Sequence, residues 1–125
     1  MDSQNIKENA FSSMTCCELV FQLLDRAVVE LHSARDAIQR RDFEAANRSL
    51  LHTQDIFLEM QSMMRNEDTL SQNVSDFLGD IAELLFFANI HKDIDRIDEA
   101  LPIIERLKII YGYFMGEGKK EQPSL

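Results

Sequence analysis

The residues that could do chemistry are few, beginning with the adjacent pair Cys16-Cys17 and the three histidines His32, His52 and His91. A zinc site needs Cys or His at short, regular spacings, and no further Cys or His lies at ligand spacing from the pair. Adjacent cysteines also form a poor structural disulfide, because the closed loop is tiny and strained. The pair therefore indicates free thiols in a reducing cytosol and no metal site.

Helical proteins can be enzymes, so catalytic patterns must also be weighed. Di-iron bundles carry Glu-x-x-His pairs, and no glutamate here has a histidine three residues later. Phosphotransfer domains have Lys-Gly close after the active histidine, whereas this chain has His91-Lys92-Asp93. No nucleophilic triad is visible, and the histidines fall at outward or flanking helix positions. The sequence predicts neither an enzyme nor a cofactor.

The composition favours an all-α protein with one domain. The 125 residues include only 4 Gly and 2 Pro, with 45% hydrophobic and 28% charged residues. The net charge of −9 disfavours nucleic acid and anionic membrane surfaces as partners. The polar N-terminus does not resemble a secretory signal, and no apolar run approaches the ~18–20 residues that span a bilayer.

Four helix starts can be recognised from capping residues. Thr15 to Glu18 and Thr69 to Gln72 match the capping-box pattern, and Asp42 and Asp93 stand where N-caps of two further helices would lie. Apolar residues follow each start at spacings of three and four, which predicts an antiparallel up-down-up-down four-helix bundle. The predicted buried seams are Val20, Leu24, Ala27, Leu31, Ala34 and Ile38; Phe43, Ala46, Leu50, Thr53, Phe57, Met60 and Met64; Val74, Leu78, Ile81, Leu85 and Ala88; and Ile94, Ile97, Leu101, Ile104 and Tyr111.

The predicted start of the first helix and end of the last helix divide the chain into three parts. These are a flexible leader, residues 1–13, a bundle, residues 14–115, and a disordered tail, residues 116–125. Pro102 lies within the last seam, so we expect a kink or a restart of the helix there. Gly112 and Gly116 are expected to help end that helix.

Large apolar residues remain outside the seams. Leu51 and Leu58 lie seven residues apart, as do Ile103 and Ile110, and each pair therefore shares one helix stripe. In the stretch LFFANIHKD, residues 85–93, the seam takes Leu85 and Ala88, which turns two phenylalanines outward. Such residues either widen the core or form a partner surface, and we favour a groove for amphipathic helices.

The sequence resembles the flagellin export chaperone family, FliS, across about residues 11–114. Residues 19–28 (LVFQLLDRAV) are similar to the family's first-helix pattern, and residues 33–47 (SARDAIQRRDFEAAN) to the next stretch. Gln54 matches the glutamine of a family Ala-Gln motif. The most specific match is Ala-Asn-x-x-Lys-Asp at residues 88–93, followed by Ile-Asp-Glu at residues 97–99.

The resemblance implies a cytosolic chaperone that holds the C-terminal segment of unpolymerised flagellin. Such a chaperone prevents premature filament assembly and delivers the subunit to the flagellar type III export apparatus. The resemblance also admits other flagellar export or regulatory proteins as partners. The alternative is a homodimeric structural or adaptor bundle that uses the same surface. For Asn89, a client contact and a hydrogen bond inside the bundle both stay open. The predicted partner-binding residues are Phe11, Leu19, Leu51, Leu58, Phe86, Phe87, Asn89, Ile103 and Ile110.

Overall fold

The computed structural model describes the backbone of residues 12–64 and 69–124 and the side chains of residues 18–64 and 72–112. The described backbone forms four α-helices: α1 (Ser12–Gln39), α2 (Phe43–Met63), α3 (Thr69–His91) and α4 (Ile94–Ser124). α1 contacts α2, α2 contacts α3 and α3 contacts α4, while α4 returns to α1 and closes the ring. The predicted all-α four-helix bundle is confirmed.

The core is formed by the four predicted seams. Every seam residue is buried or half-buried except Phe43. The apolar residues of each helix recur at the helical period and so form one stripe along it. Burial of that stripe fixes the rotation of the helix about its axis. Phe43 is 47% exposed, since it is the first residue of α2 and lies at the end of the bundle. The largest seam side chains that are fully buried are Leu24, Leu31, Leu50, Thr53, Phe57, Met60, Leu85, Ile97 and Ile104.

The turn between α1 and α2 combines a helix C-cap with a helix N-cap. The Arg41 amide donates to the Ile38 carbonyl at 3.0 Å, and the Asp42 amide donates to the Ala37 carbonyl at 2.8 Å. These two bonds are those of a Schellman motif. The Asp42 carboxylate then accepts from the Ala45 amide at 3.2 Å and begins α2, as predicted.

The turn between α3 and α4 repeats this arrangement. The Lys92 amide donates to the Asn89 carbonyl at 3.3 Å, and the Asp93 amide donates to the Ala88 carbonyl at 3.0 Å. The Asp93 carboxylate accepts from the Asp95 amide at 3.0 Å, which confirms the predicted cap of α4. Neither turn has linker residues between its two caps, because the last residue of each C-cap is also the N-cap of the next helix.

Both C-caps place a basic residue in the left-handed region. Arg41 has φ 62° and Lys92 has φ 48°. Glycine is the usual residue here, and a side chain in this conformation costs about 1 kcal/mol. The fold therefore carries backbone strain at two equivalent turns at the same end of the bundle.

The beginning of α1 differs from the prediction. The helix starts at Ser12 and not after a cap at Thr15, so it enters the predicted leader, residues 1–13. No Pro or Gly lies between Ser12 and Thr15, and a capping pattern favours a start without enforcing one.

α4 also extends beyond its predicted end. It continues to Ser124, past both Gly112 and Gly116. Of the kink or restart predicted at Pro102, the restart is absent and the kink stays a prediction. A glycine inside a helix costs about 1 kcal/mol but keeps its N–H, and no described glycine has positive φ. Gly112 serves close packing instead, because a Cβ there would lie 3.1 Å from the Phe21 ring. The helix-end prediction at these glycines is wrong, and the helix overlaps the predicted tail, residues 116–125.

Candidate partner-binding surface

Six of the predicted partner-binding residues are exposed. Leu19 lies on α1, Leu51 and Leu58 on α2, the adjacent Phe86 and Phe87 on α3, and Ile110 on α4, with exposed fractions between 40% and 48%. The neighbours Leu85 and Ala88 are fully buried, so the predicted division of LFFANIHKD between core and surface is confirmed. That these exposed side chains contact a partner stays a prediction.

Three of the predicted residues lie elsewhere. Phe11 is outside the described residues. Ile103 is half-buried and packs against the core, so it is less open than the predicted outer stripe, and that it contacts a partner stays a prediction. α4 presents a wider apolar face than its seam indicates, because it packs between α1 and α3 and buries positions on both sides of that seam. Asn89 is only 9% exposed and lies between helices, away from the open surface.

Exposed apolar side chains follow the outer edge of the seam between α2 and α3. Two hydrogen bonds fix how these helices align: Gln61 Nε2 donates to the Ser75 carbonyl at 2.9 Å, and Asn89 Nδ2 donates to Asn47 Oδ1 at 2.9 Å. Leu51 and Leu58 lie four and eleven residues after Asn47, which places them on the same side of α2.

From α3, Phe86 lies three residues before Asn89 and along the same edge. Gly79 contributes close packing, since a Cβ there would lie 2.7 Å from the Gln61 amide nitrogen. We call the surface formed by Leu51, Leu58 and Phe86 the α2–α3 groove.

A second set of apolar side chains lies on the other side of α3. The Arg96 guanidinium of α4 stands over the Phe87 ring, 5.8 Å from its centroid. Ile103 and Ile110 lie seven and fourteen residues after Arg96 and therefore share its face of α4. We call the surface formed by Leu84, Phe87, Ile103 and Ile110 the α3–α4 groove.

The sequence reasoning missed Phe77, which is 41% exposed and lies on the α4 side of α3. Its spacing of seven from Leu84 was a usable signal, the same spacing that marked the pairs on α2 and α4. Ile90, which is 56% exposed, was also missed. It follows the buried Asn89 near the end of α3.

The two phenylalanines divide the grooves between them. Adjacent helix positions point about 100° apart, so Phe86 faces the α2 side and Phe87 the α4 side. Their rings touch edge to face, with centroids 5.5 Å apart and an interplanar angle of 75°. α3 therefore carries a continuous aromatic ridge that joins the α2–α3 groove to the α3–α4 groove.

Ion pairs occupy the other two seams of the bundle. Between α1 and α4, Arg35 makes a bidentate pair with Asp98, at 2.8 and 3.3 Å, and Lys108 meets Asp25 at 2.7 Å. The hydrogen bond from Arg35 lowers the pKa of Asp98, against the opposing effect of desolvation.

Between α1 and α2, the Glu30 carboxylate accepts from Arg26 Nε at 3.2 Å and lies 3.0 Å from His52 Nδ1. Burial raises the pKa of Glu30, but the hydrogen bonds from His52 and Arg26 outweigh it and the pKa is lowered. Among the described residues, no ion pair joins α3 to α2 or to α4. The bundle thus has charged seams around α1 and apolar grooves around α3.

The described residues include no cluster of His, Cys, Asp or Glu that could hold a metal ion. Within the same part of the chain, no helix is both long and apolar enough to cross a membrane. All three histidines are exposed, as their positions in the sequence predicted.

Together, the fold and its surface define a small four-helix bundle that exposes apolar side chains on α2, α3 and α4. The family model described as flagellar protein FliS matches residues 2–117. The chain therefore belongs to the FliS family, the flagellin export chaperones, and the resemblance found in the sequence is confirmed. No curated protein matches the chain significantly.

Proposed function

We propose that this protein is a cytosolic chaperone that binds the C-terminal segment of flagellin before polymerisation. By covering that segment it prevents premature filament assembly, and it delivers the subunit to the flagellar type III export apparatus. The observation that carries the proposal is the aromatic ridge of α3 between two apolar grooves.

The grooves suit an amphipathic client. Leu51 and Leu58 are spaced by two helical turns, as are Ile103 and Ile110, and a client helix can place its own i, i+3, i+4 and i+7 residues between them. Aromatic side chains bury large areas when they are covered, so the exposed parts of Phe86 and Phe87 offer large contact areas on this surface.

Two grooves are better suited to a disordered client than one. A segment that folds on binding loses conformational entropy, at a cost of about 2–5 kcal/mol or more. A client that continues from the α2–α3 groove over the ridge into the α3–α4 groove doubles the apolar area that offsets this cost. The cation–π contact from Arg96 holds Phe87 in place on the α4 side.

The test is titration calorimetry of the full chain with a flagellin C-terminal segment, using L58E and F87E as one variant for each groove. Each substitution is expected to weaken binding at least tenfold, because a carboxylate replaces an apolar contact in each groove. V29E is the matched control, since Val29 is 55% exposed on α1, away from both grooves. Equal binding by V29E and the groove variants would overturn the assignment of the grooves.

Light scattering of the same samples tests the homodimer alternative. The proposal expects a monomer that forms a one-to-one complex with the segment. A tight dimer that does not respond to the segment, and that F87E dissociates, would replace the chaperone with the homodimeric bundle.

A further inference from the structure

A third depression lies at the end of the bundle that holds the α1–α2 and α3–α4 turns. It is separate from Leu58 and Phe87, the two residues substituted in the flagellin titration. We call it the turn groove, and it is lined by Ile38, Arg41, Phe43, Ile90, His91 and Lys92, with Gln39 at its edge. Phe43 and Ile90 are 47% and 56% exposed. No acidic side chain of the described residues lines it, although the chain has 22 acids against 13 bases.

The carboxylates closest in sequence to these cations are engaged elsewhere. Asp42 caps α2 through the Ala45 amide, and Asp93 caps α4 and pairs with Arg96 at 3.5 Å. Arg41 makes no side-chain hydrogen bond or ion pair with any described residue. Lys92 Nζ donates to the Asn89 carbonyl at 2.6 Å, but neither Lys92 nor Arg41 pairs with a carboxylate of a described residue. Most other cations of the described chain are paired with a carboxylate.

The backbone conformation at Arg41 and Lys92 also supports a role for this groove. Arg41 and Lys92 occupy the left-handed positions that glycine fits without strain, at equivalent places in the two turns. Residues held in a strained backbone conformation occur preferentially at functional sites. Here the strain places two cations at one groove, beside two exposed apolar side chains.

We propose that the turn groove docks an acidic, hydrophobic peptide segment of a second protein, independently of the flagellin client. Apolar side chains of that segment cover Phe43 and Ile90, and its carboxylates pair with Arg41 and Lys92. Charge complementarity selects this occupant: an acidic segment meets two cations that have no carboxylate partner among the described residues, and no carboxylate lines the groove.

A short peptide is favoured over nucleic acid or a membrane surface. Screening limits electrostatic interactions to about 8 Å at physiological salt, so a short segment experiences mainly the cations of the groove. An extended polyanion would also meet the acidic remainder of the surface, where the net charge of −9 repels it.

The experiment titrates the full chain with a labelled synthetic peptide of alternating Leu-Phe and Glu-Asp pairs, followed by fluorescence anisotropy. The proposal expects binding that weakens as salt rises, no binding of the peptide with Lys in place of its acids, and at least a tenfold loss in R41E/K92E. R48E/R106E is the charge-matched control, because Arg48 and Arg106 are exposed on α2 and α4 and do not line the groove, so this variant should bind normally.

Three results would overturn the proposal: no binding of the acidic peptide, equal binding by R41E/K92E, or preferential binding of polyuridylate RNA or anionic phosphatidylserine vesicles that R41E/K92E abolishes. Circular dichroism establishes that R41E/K92E is folded, and Arg41→Ala with Lys92→Ala provides a milder second variant that should show an intermediate loss. The L58E and F87E variants should bind the acidic peptide as the wild-type chain does. Failure of this proposal can therefore be distinguished from failure of the proposed flagellin binding.

Discussion

Asn89 of α3 donates a 2.9 Å hydrogen bond to Asn47 of α2, across 42 residues of sequence. Its carbonyl also accepts from Lys92 Nζ at 2.6 Å, which ties the pair to the following turn. The remaining oxygen, Asn89 Oδ1, is buried and has no partner among the described residues. These contacts give Asn89 a role in aligning α2 with α3, beneath the surface that carries Phe86.

Replacement of Asn89 by Ala should lower the free energy of unfolding by about 1–2 kcal/mol. The variant loses the bond to Asn47 and leaves a small cavity between the helices. Urea unfolding followed by circular dichroism measures the change. Asn73, exposed on the same helix, supplies the control N73A, which should change stability by less than about 0.5 kcal/mol. An equal effect of N89A and N73A would show that the Asn89 bond does not stabilise the bundle.

Phe87→Glu and Ile110→Glu should leave thermal stability nearly intact while they abolish binding of the flagellin segment. Both side chains are at least 40% exposed, so a carboxylate there stays in water. Ile103→Glu should instead destabilise the bundle by about 2–4 kcal/mol, because Ile103 packs against the core. Thermal unfolding distinguishes the two groups. Unfolding of F87E would mean that this side chain belongs to the core.

Arg41→Gly should raise the free energy of unfolding by about 1 kcal/mol, which corresponds to about 3–5 °C in Tm for a domain of this size. Glycine relieves the strain of φ 62° and keeps both backbone bonds of the cap. Arg40→Gly is the control, since Arg40 does not have positive φ and gains nothing from glycine. A fall in Tm for R41G would show that the Arg41 side chain stabilises the turn by more than the strain costs.

Glu30→Gln should reduce stability near neutral pH and have little effect in acid. The pKa of Glu30 is lowered in the folded state, where bonds from His52 and Arg26 outweigh the effect of burial. A lowered carboxyl pKa stabilises the fold above the unfolded value of about 4.5, and this contribution is lost as pH falls through the folded value. We expect no more than about 1 kcal/mol, because His52 and Arg26 are mostly exposed.

Urea midpoints measured from pH 7 down to pH 3 should therefore converge for the wild-type chain and E30Q. Glu99 is exposed and makes no ion pair with a described residue, so E99Q should follow the wild-type curve throughout. A constant difference between E30Q and the wild type across this range would contradict the assignment to ionised Glu30.

The core could be predicted from the sequence because each helix buries one stripe, and the stripe is visible as a period of three and four residues. Asp42 and Asp93 could be predicted as caps for a similar reason, since capping is a contact between near neighbours. Ile103 could not be placed, because its burial depends on which helix packs beside α4 and how closely.

The division of the surface into grooves also needed the structure. The sequence turns Phe86 and Phe87 outward, but their separation into two grooves follows from the positions of α2 and α4 on either side of α3. The bond between Asn89 and Asn47 joins residues from separate helices, and nothing in the local pattern of either one specifies the other. The ends of α1 and α4 were misplaced because capping residues and glycines shift helix limits by small energies that packing can exceed.

The pairing of α1 with α4 has a consequence for the order in which the chain folds. Arg35 and Asp98 are 63 residues apart, whereas the turns that join consecutive helices bring their partners together over very short loops. During synthesis α1, α2 and α3 leave the ribosome first, and helical hairpins form quickly because their contacts are local. Until α4 emerges, the face of α1 around Phe21 and Arg35 has no partner. The last helix to be made thus closes the seam that the first helix began.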